Sequence, residues 1–257
     1  MQVNEPFNLS NKLALVTGST RGIGAAIAVE FAEAGAEVLV TGRSQDDANA
    51  AAARITESGG RARGIAYDAA VPGSAAALIE RVSAESGRLD VLVNNAAILK
   101  PHVVEKLSEE EFDVIFGVNT KAAVFLCKRA LPLLREGTEP AVVNLTAACA
   151  HRPMAGIGAY CASKAAMISF TSTLAQEWAR YGIRVNALTP GSVATDMILP
   201  RDEKKRAEFE KEMAENNLMK RLAEPREIAR AIRFLASPAA SFMTGQTMIV
   251  DGGLLAC

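Results

Sequence analysis

The chain reads as a doubly wound α/β fold, a parallel sheet with helices packed on both faces. Short apolar runs alternate with longer helical patterns almost to the C-terminus, the order that builds successive β-α units. The runs are apolar at consecutive positions, as strands buried on both faces are. The first of them passes through a glycine-rich turn directly into a helical pattern. Strands are expected at 12–17, 37–41, 63–67, 89–93, 141–146, 184–188 and 247–250, and helices near 22–34, 45–58, 73–86, 108–135, 159–181 and 225–236. No linker, repeat or low-complexity tract divides the sequence, so residues 1–257 are expected to form a single domain.

Bulk properties narrow the function. With 49% hydrophobic and 22% charged residues, the 257-residue chain has the composition of one large globular domain. A formal net charge of −1 gives no footprint for nucleic acid or an anionic membrane. No apolar run approaches the roughly 18 to 20 residues a membrane helix requires. Residues 1–6 lack the basic-then-apolar order of a secretory leader. Cys127, Cys149, Cys161 and Cys257 show no metal-binding spacing, and His102 and His151 are the only histidines. No metal is expected, and the cysteine usage points to a reducing, cytoplasmic setting.

The first strand runs into Thr17-Gly18-Ser19-Thr20-Arg21-Gly22-Ile23-Gly24. Gly18 permits the sharp turn, Gly22 lets backbone approach a pyrophosphate, and Gly24 allows close helix–strand packing. The helix that follows presents N-terminal amides and the positive end of its dipole to phosphate. Three glycines alone are weak evidence; between a first strand and a helix they have the context of a dinucleotide cradle.

The second strand bears on the choice of dinucleotide. A carboxylate at its end would bind the ribose 2′-hydroxyl of NAD. Here the strand ends in Thr41-Gly42-Arg43-Ser44. Arg43 is placed to clamp a 2′-phosphate, and Arg21 adds a second positive charge. These residues predict NADP(H), the competing reading being two solvated arginines.

Later elements add punctuation and a candidate reaction. Ser108 and Glu111 form a capping-box pattern at the start of the 108–135 helix, flanked by a Leu107–Phe112 hydrophobic staple. In the 159–181 helix, Tyr160 and Lys164 lie one turn apart on the same face. A free tyrosine titrates near about 10, and an ammonium beside it favours the phenolate and brings proton transfer toward neutral pH. Residues 196–222 interrupt the rhythm with a charged helical stretch whose thin apolar edge is Phe209 and Met213. It is either a solvated surface helix or a lid over a pocket at the strand ends.

The glycine loop, Asn94-Asn95-Ala96-Ala97 after the fourth strand, and Tyr160/Lys164 after the fifth make the chain resemble the short-chain dehydrogenase/reductase family. The similarity spans about residues 8–253 and includes the NADP-preferring group that contains 3-oxoacyl-carrier-protein reductases. It implies a single Rossmann-type domain with a seven-stranded parallel sheet, assembled as a homotetramer or dimer. By position, Tyr160 would be the general acid/base, and Lys164 would lower its pKa and bind the nicotinamide ribose. Asn119 matches the family's helix asparagine that holds a relay water, against the simpler reading of a buried, kink-forming asparagine. The cofactor set implied is Gly18, Ser19, Arg21, Gly22, Ile23 and Gly24 in the loop, Arg43 and Ser44 after the second strand, Asp68 at the adenine, Asn95 at the adenosine ribose, and Val193 and Thr195 at the carboxamide. Thr244-Gly245-Gln246 and Val250-Asp251-Gly252-Gly253 resemble the last strand and the subunit-contacting tail.

Two departures stand out. Ala97 replaces the usual glycine, which costs little if its φ is negative. The catalytic serine belongs thirteen residues before the tyrosine, at position 147, which is Ala147. Loss of one such donor typically costs ~10²–10³ in rate. Either Thr146, a water or a substrate group replaces it, or the position is altered to hold substrate without turnover, or the chain binds cofactor with little catalysis. Neighbouring strand residues face opposite ways, which counts against Thr146. The expected activity is NADP(H)-dependent interconversion of a carbonyl and an alcohol, in the reductive direction, in a pocket lined by Ala147, Cys149, His151, Met154, Met197 and the 196–222 segment. An NADP(H)-binding protein without catalysis is the alternative.

Overall fold

The structure, a computed structural model, describes residues 6–256. The segment read for a leader and Cys257 lie outside the described residues. Seven parallel strands form one sheet in the order β3-β2-β1-β4-β5-β6-β7. They are β1 (Leu13–Val16), β2 (Glu37–Gly42), β3 (Arg61–Ala66), β4 (Val91–Asn94), β5 (Ala141–Leu145), β6 (Arg184–Pro190) and β7 (Thr247–Val250). Strand order reverses between β1 and β4, and that is where a doubly wound sheet opens a crevice at its carboxyl edge.

The consecutive apolar pattern has the expected outcome. Alternate residues of one strand enter opposite cores. Ala14 and Val16 join Phe31, Ile27 and Ile232 on one side, while Leu13 and Leu15 join Leu126, Leu134 and Trp178 on the other. The first layer comprises α1 (Gly22–Glu33), α2 (Gln45–Glu57) and α8 (Pro225–Ala236), and the second α3 (Ser74–Ser86), α5 (Ala122–Arg135) and α6 (Gly158–Trp178). α8 shows the logic of its layer. Pro225 opens it, Glu224 and Glu227 form a reciprocal capping box, and Ile228, Ile232 and Leu235 bury the stripe that meets α1.

One expectation needs correction. The 108–135 helix is three pieces: α4 (Glu109–Phe116), a π turn (Gly117–Lys121) and α5. A π turn inserts one extra residue into the helix, and such bulges frequently occur at functional sites. Here the inserted turn carries Asn119. At the start of α4, Ser108 Oγ accepts from the Glu111 amide, and Phe112 stacks on Phe116 with centroids 4.4 Å apart. In the charged segment, α7 (Glu203–Glu215) buries no side chain completely, and its flanks are anchored by buried Leu199 and Asn217.

Candidate active site

The cradle is built from backbone constraints. Gly18 (φ +63°) and Gly22 (φ +57°) occupy the left-handed region. A Cβ on Gly24 would lie 2.2 Å from the Gly18 carbonyl oxygen, so only glycine lets α1 start this close to β1. Asn95 holds the loop from the other side, its Nδ2 donating to the carbonyls of Thr17 (2.8 Å) and Gly18 (3.0 Å). Arg54 of α2 donates to the Thr20 carbonyl. The opening amides of α1 have no intrahelical acceptors, and its N-cap residue, Arg21, supplies no side-chain cap.

The other sequence-predicted cofactor residues divide into two kinds. Ser19 is turned inward: its Oγ donates to the Val16 carbonyl and accepts from the Thr41 amide, riveting β1 to β2. Ser44 caps α2 by accepting from the Asp47 amide. Arg43 is exposed beside the loop and makes no ion pair or hydrogen bond among the described residues. Arg21 pairs with Asp196 across 3.8 Å, both side chains being exposed. Asp68 lies two residues beyond β3, with one carboxylate oxygen accepting from the Ala70 amide. Ile23 is half-buried against the first core. Ala97 is not among the residues with positive φ, so its methyl imposes no backbone strain.

Opposite the cradle, the residues 191–195 cross toward the glycine loop. Gly191 packs so closely on Asp251 that a Cβ would approach its Cα to 2.7 Å, and Val193 bridges to Ala223. A Cβ on Gly22 would meet the Thr195 methyl at 3.5 Å, which puts Thr195 directly over the cradle. Met213 of α7 turns its sulfur to within 4.0 Å of Ser192 Oγ, so the apolar edge of α7 faces this segment.

Tyr160 and Lys164 are brought to the same edge by α6. Lys164 is 3% exposed, and its Nζ donates to the Leu145 carbonyl at the end of β5 (2.9 Å). Burial lowers its pKa to about 8, the neighbouring Cys149 thiol acting in the opposite sense. The Nζ lies 5.9 Å from the centre of the Tyr160 ring. The expectation that Lys164 depresses the Tyr160 pKa fails in the chain by itself. Burial pushes the phenol up, and the Cys149 and Cys161 thiols push the same way. Desolvation is the largest of these effects.

Asn119 is 2% exposed and its amide is fully engaged. Oδ1 accepts from the Ile98 amide, while Nδ2 donates to the Ile98 carbonyl and to Ser163 Oγ. The π turn thereby ties the loop after β4 to the turn of α6 that carries Tyr160. Thr120 donates to the Ser163 carbonyl and Ser163 to the Tyr160 carbonyl.

Ala147 is half-buried and extended (φ −160°) just beyond β5. Thr146 is 2% exposed, donates to the Leu188 carbonyl and contacts Thr189 Oγ1 at 2.6 Å. Its hydroxyl belongs to the β5–β6 seam and does not replace the serine donor. With the Thr146 proton committed to Leu188, Thr189 donates to Thr146 and accepts from His151 Nε2 at 3.1 Å. His151 is thus a member of a threonine chain rather than a free loop side chain.

Comparison with known proteins decides the family. Residues 18–255 match the family described as enoyl-(acyl carrier protein) reductase. The chain is 38% identical over 254 residues to the short chain dehydrogenase/reductase astE of Aspergillus oryzae, covering 97% of each. The chain belongs to the short-chain dehydrogenase/reductase family. Among solved structures it resembles the 3-oxoacyl (acyl-carrier-protein) reductase of Agrobacterium tumefaciens with NADP bound (TM-score 0.92, 35% identity, 98% of each chain). It also resembles the L-sorbose reductase of Gluconobacter frateurii complexed with NADPH and L-sorbose (TM-score 0.93, 31% identity, 98% of this chain and 100% of that one).

The glycine loop, Tyr160, Lys164 and Asn119 carry recognisable spacing in the sequence, whereas the groups that hold them do not. Arg54, Thr189 and His102 reach the site only through tertiary contacts, whereas Ser163 sits on α6 itself. Among the described residues no group of three or more His, Cys, Asp or Glu is placed to hold a metal ion, and no helix is long and apolar enough to cross a membrane.

Proposed function

We propose that the chain is an NADP(H)-dependent oxidoreductase that interconverts a carbonyl and an alcohol, running in the reductive direction. The observation that carries this is Tyr160, with Lys164 one turn away, at the same sheet edge as a glycine cradle whose neighbouring strand ends in an unpaired arginine. The cradle fits a dinucleotide: Gly22 has positive φ, no side-chain cap covers the start of α1, and no carboxylate ends β2. Gly18, Arg21, Gly22, Ile23 and Gly24 would hold the pyrophosphate, Arg43 the 2′-phosphate, and Asp68, Asn95, Val193 and Thr195 the adenosine and carboxamide ends. Ser19 and Ser44 support this set from behind. The solved relatives with NADP or NADPH support the same cofactor.

When bound, the nicotinamide supplies or accepts hydride. Tyr160, half-buried and with its phenol pKa pushed up, gives its proton to the carbonyl oxygen as that atom gains charge. Lys164 stabilises the phenolate that results, its Nζ held in place by the Leu145 carbonyl. A relay refilling Tyr160 would pass through a water held by a backbone carbonyl of the π turn, because the Asn119 amide is spent on Ile98 and Ser163. The 196–222 segment acts as a lid, α7 bringing Phe209 and Met213 over the pocket. The chain works in the cytoplasm as a homotetramer or dimer, for which exposed Phe242 and Ile249, close to β7 or on it, supply apolar surface.

The test is NADPH oxidation with a panel of ketones, aldehydes, ketoses and 3-oxoacyl thioesters, against NADH as control. Arg43→Ala should lower the preference for NADPH over NADH by ~10- to 100-fold, the range of a lost charge-assisted hydrogen bond. An unchanged ratio in binding titrations would refute the role of Arg43. Ala147, with Thr146 locked into the seam, favours a second reading, an NADP(H)-binding protein with little catalysis. Tight NADPH binding without oxidation anywhere in the panel would establish that reading.

A further inference from the structure

The catalytic helix begins without a local cap. Ile157, its N-cap residue, makes no side-chain cap hydrogen bond, and the first intrahelical bond runs from the Cys161 amide to the Ile157 carbonyl. The amides of Gly158, Ala159 and Tyr160 therefore have no acceptor inside the helix. One of them is satisfied from far away in sequence: the Ala159 amide donates to Nε2 of His102 at 3.3 Å.

The proton inventory of that imidazole is closed. Nδ1 lies 2.8 Å from the Lys100 carbonyl oxygen, which only accepts, so Nδ1 carries the proton. Nε2 is then the bare nitrogen, as its contact with an N–H requires. The backbone fixes the ring as well. The His102 amide donates to the Gly156 carbonyl (2.6 Å), and His102 bridges to Ile157. The same loop is pinned at Ile98 by both ends of the Asn119 amide.

We propose that His102 is a positioning residue for Tyr160, capping the catalytic helix at the residue before the tyrosine and setting where its ring enters the site. This rests on the proposed function for its catalytic consequence, but not for the cap itself. His102 approaches the helix start, Asn119 and Thr120 approach Ser163, and Ser163 holds the Tyr160 carbonyl. Tyr160 is thus braced from before and behind by one continuous stretch of polar contacts.

Three variants separate the cap from the rest of the ring. His102→Ala removes both nitrogens. His102→Asn keeps a polar group near Nδ1 but does not reach Ala159. His102→Gln carries an amide oxygen to the Nε2 position. All three retain the backbone bridge to the 156–157 segment. Amide hydrogen exchange on the full chain should show protection at Ala159–Cys161 falling about fivefold or more in the Ala and Asn variants and returning in Gln, the size of effect expected for a lost helix cap. In NADPH oxidation, kcat should fall and recover in the same order, with KM for NADPH unchanged. Unaltered exchange in His102→Ala would overturn the proposal, and so would lost protection with unaltered kcat. If the wild type turns over nothing in the panel, the proposed function fails separately, and the exchange pattern by itself upholds or overturns the cap.

Discussion

The phosphate cradle and the catalytic corner lie on one sheet edge, yet they are built by different means. In the cradle, position follows from local backbone: two glycines in the left-handed region, a third with no room for a methyl, and Asn95 closing the loop. In the corner, position is imposed by side chains from other parts of the chain, Asn119, Thr120 and His102 meeting the first turns of α6. Electrostatics differ too. Arg43 is solvated and unpaired, whereas Lys164 is buried with its pKa lowered to about 8 and Tyr160 is half-buried with its phenol pushed up. One region is shaped by backbone and open to solvent; the other places buried Lys164 beside half-buried Tyr160, where an added charge or donor has a large effect.

The largest test of that contrast is Ala147→Ser. Under the proposed function, a hydroxyl at the position of the family's serine should raise kcat by ~10²–10³, about 3–4 kcal/mol of barrier. NADPH affinity should stay unchanged, since the cradle is built separately. Steady-state kinetics decide it, and an unchanged rate means that a water or a substrate group already fills the role. Next in size is Gly24→Ala. Its methyl would press on the Gly18 carbonyl at 2.2 Å and on Asn95 Nδ2 at 2.5 Å, which are backbone and a clamped side chain rather than flexible tips. The expected cost is ~1–3 kcal/mol of stability from overpacking, with loss of NADPH binding, read by denaturant titration and cofactor fluorescence. Wild-type affinity in that variant would show the cradle to be more pliable than its geometry implies.

The same contrast explains what the sequence disclosed. Glycine roles, the arginine after β2 and the i, i+4 pair are local, so spacing reveals them. The strands were legible because apolar residues on both faces leave little else for those runs to be. The π turn was not, since one extra residue barely disturbs the apolar rhythm of 108–135. Ser19 reads as a phosphate ligand because its loop is rich in glycine, but its hydroxyl is engaged in the β1–β2 seam, donating to Val16 and accepting from Thr41. His102 and Ala159 are 57 residues apart, and no pattern in either segment announces their hydrogen bond. The effect of Lys164 on Tyr160 was misjudged for a related reason: charge proximity is readable from spacing, and desolvation is not.

The smallest effect tests the dryness of the corner directly. Lys164 titrates near 10.5 when solvated and near about 8 in the fold. Between those values the unfolded chain holds a proton that the folded chain has released. Stability therefore rises with pH in this window, and the burial penalty is fully present below about pH 8. The slope is about 1.4 kcal/mol per pH unit at most. Cys127 and Cys149, pushed by burial from 9.0 up to about 12, act with the opposite sign, because the unfolded thiols ionise first. Their contribution begins near pH 9 and masks the lysine in the wild type alone. Subtraction of a Lys164→Met variant, which keeps the buried stem and removes the charge, cancels Cys127. Of Cys149 it leaves only the coupling to Lys164, which enters once that thiol begins to ionise near pH 9 in the unfolded chain. Denaturant titrations at intervals from pH 7 to 9.5 should show wild-type stability gaining on the variant by about 1 kcal/mol or more once the pH passes 8. Parallel profiles would mean that water reaches Nζ and that the corner is wetter than its packing indicates.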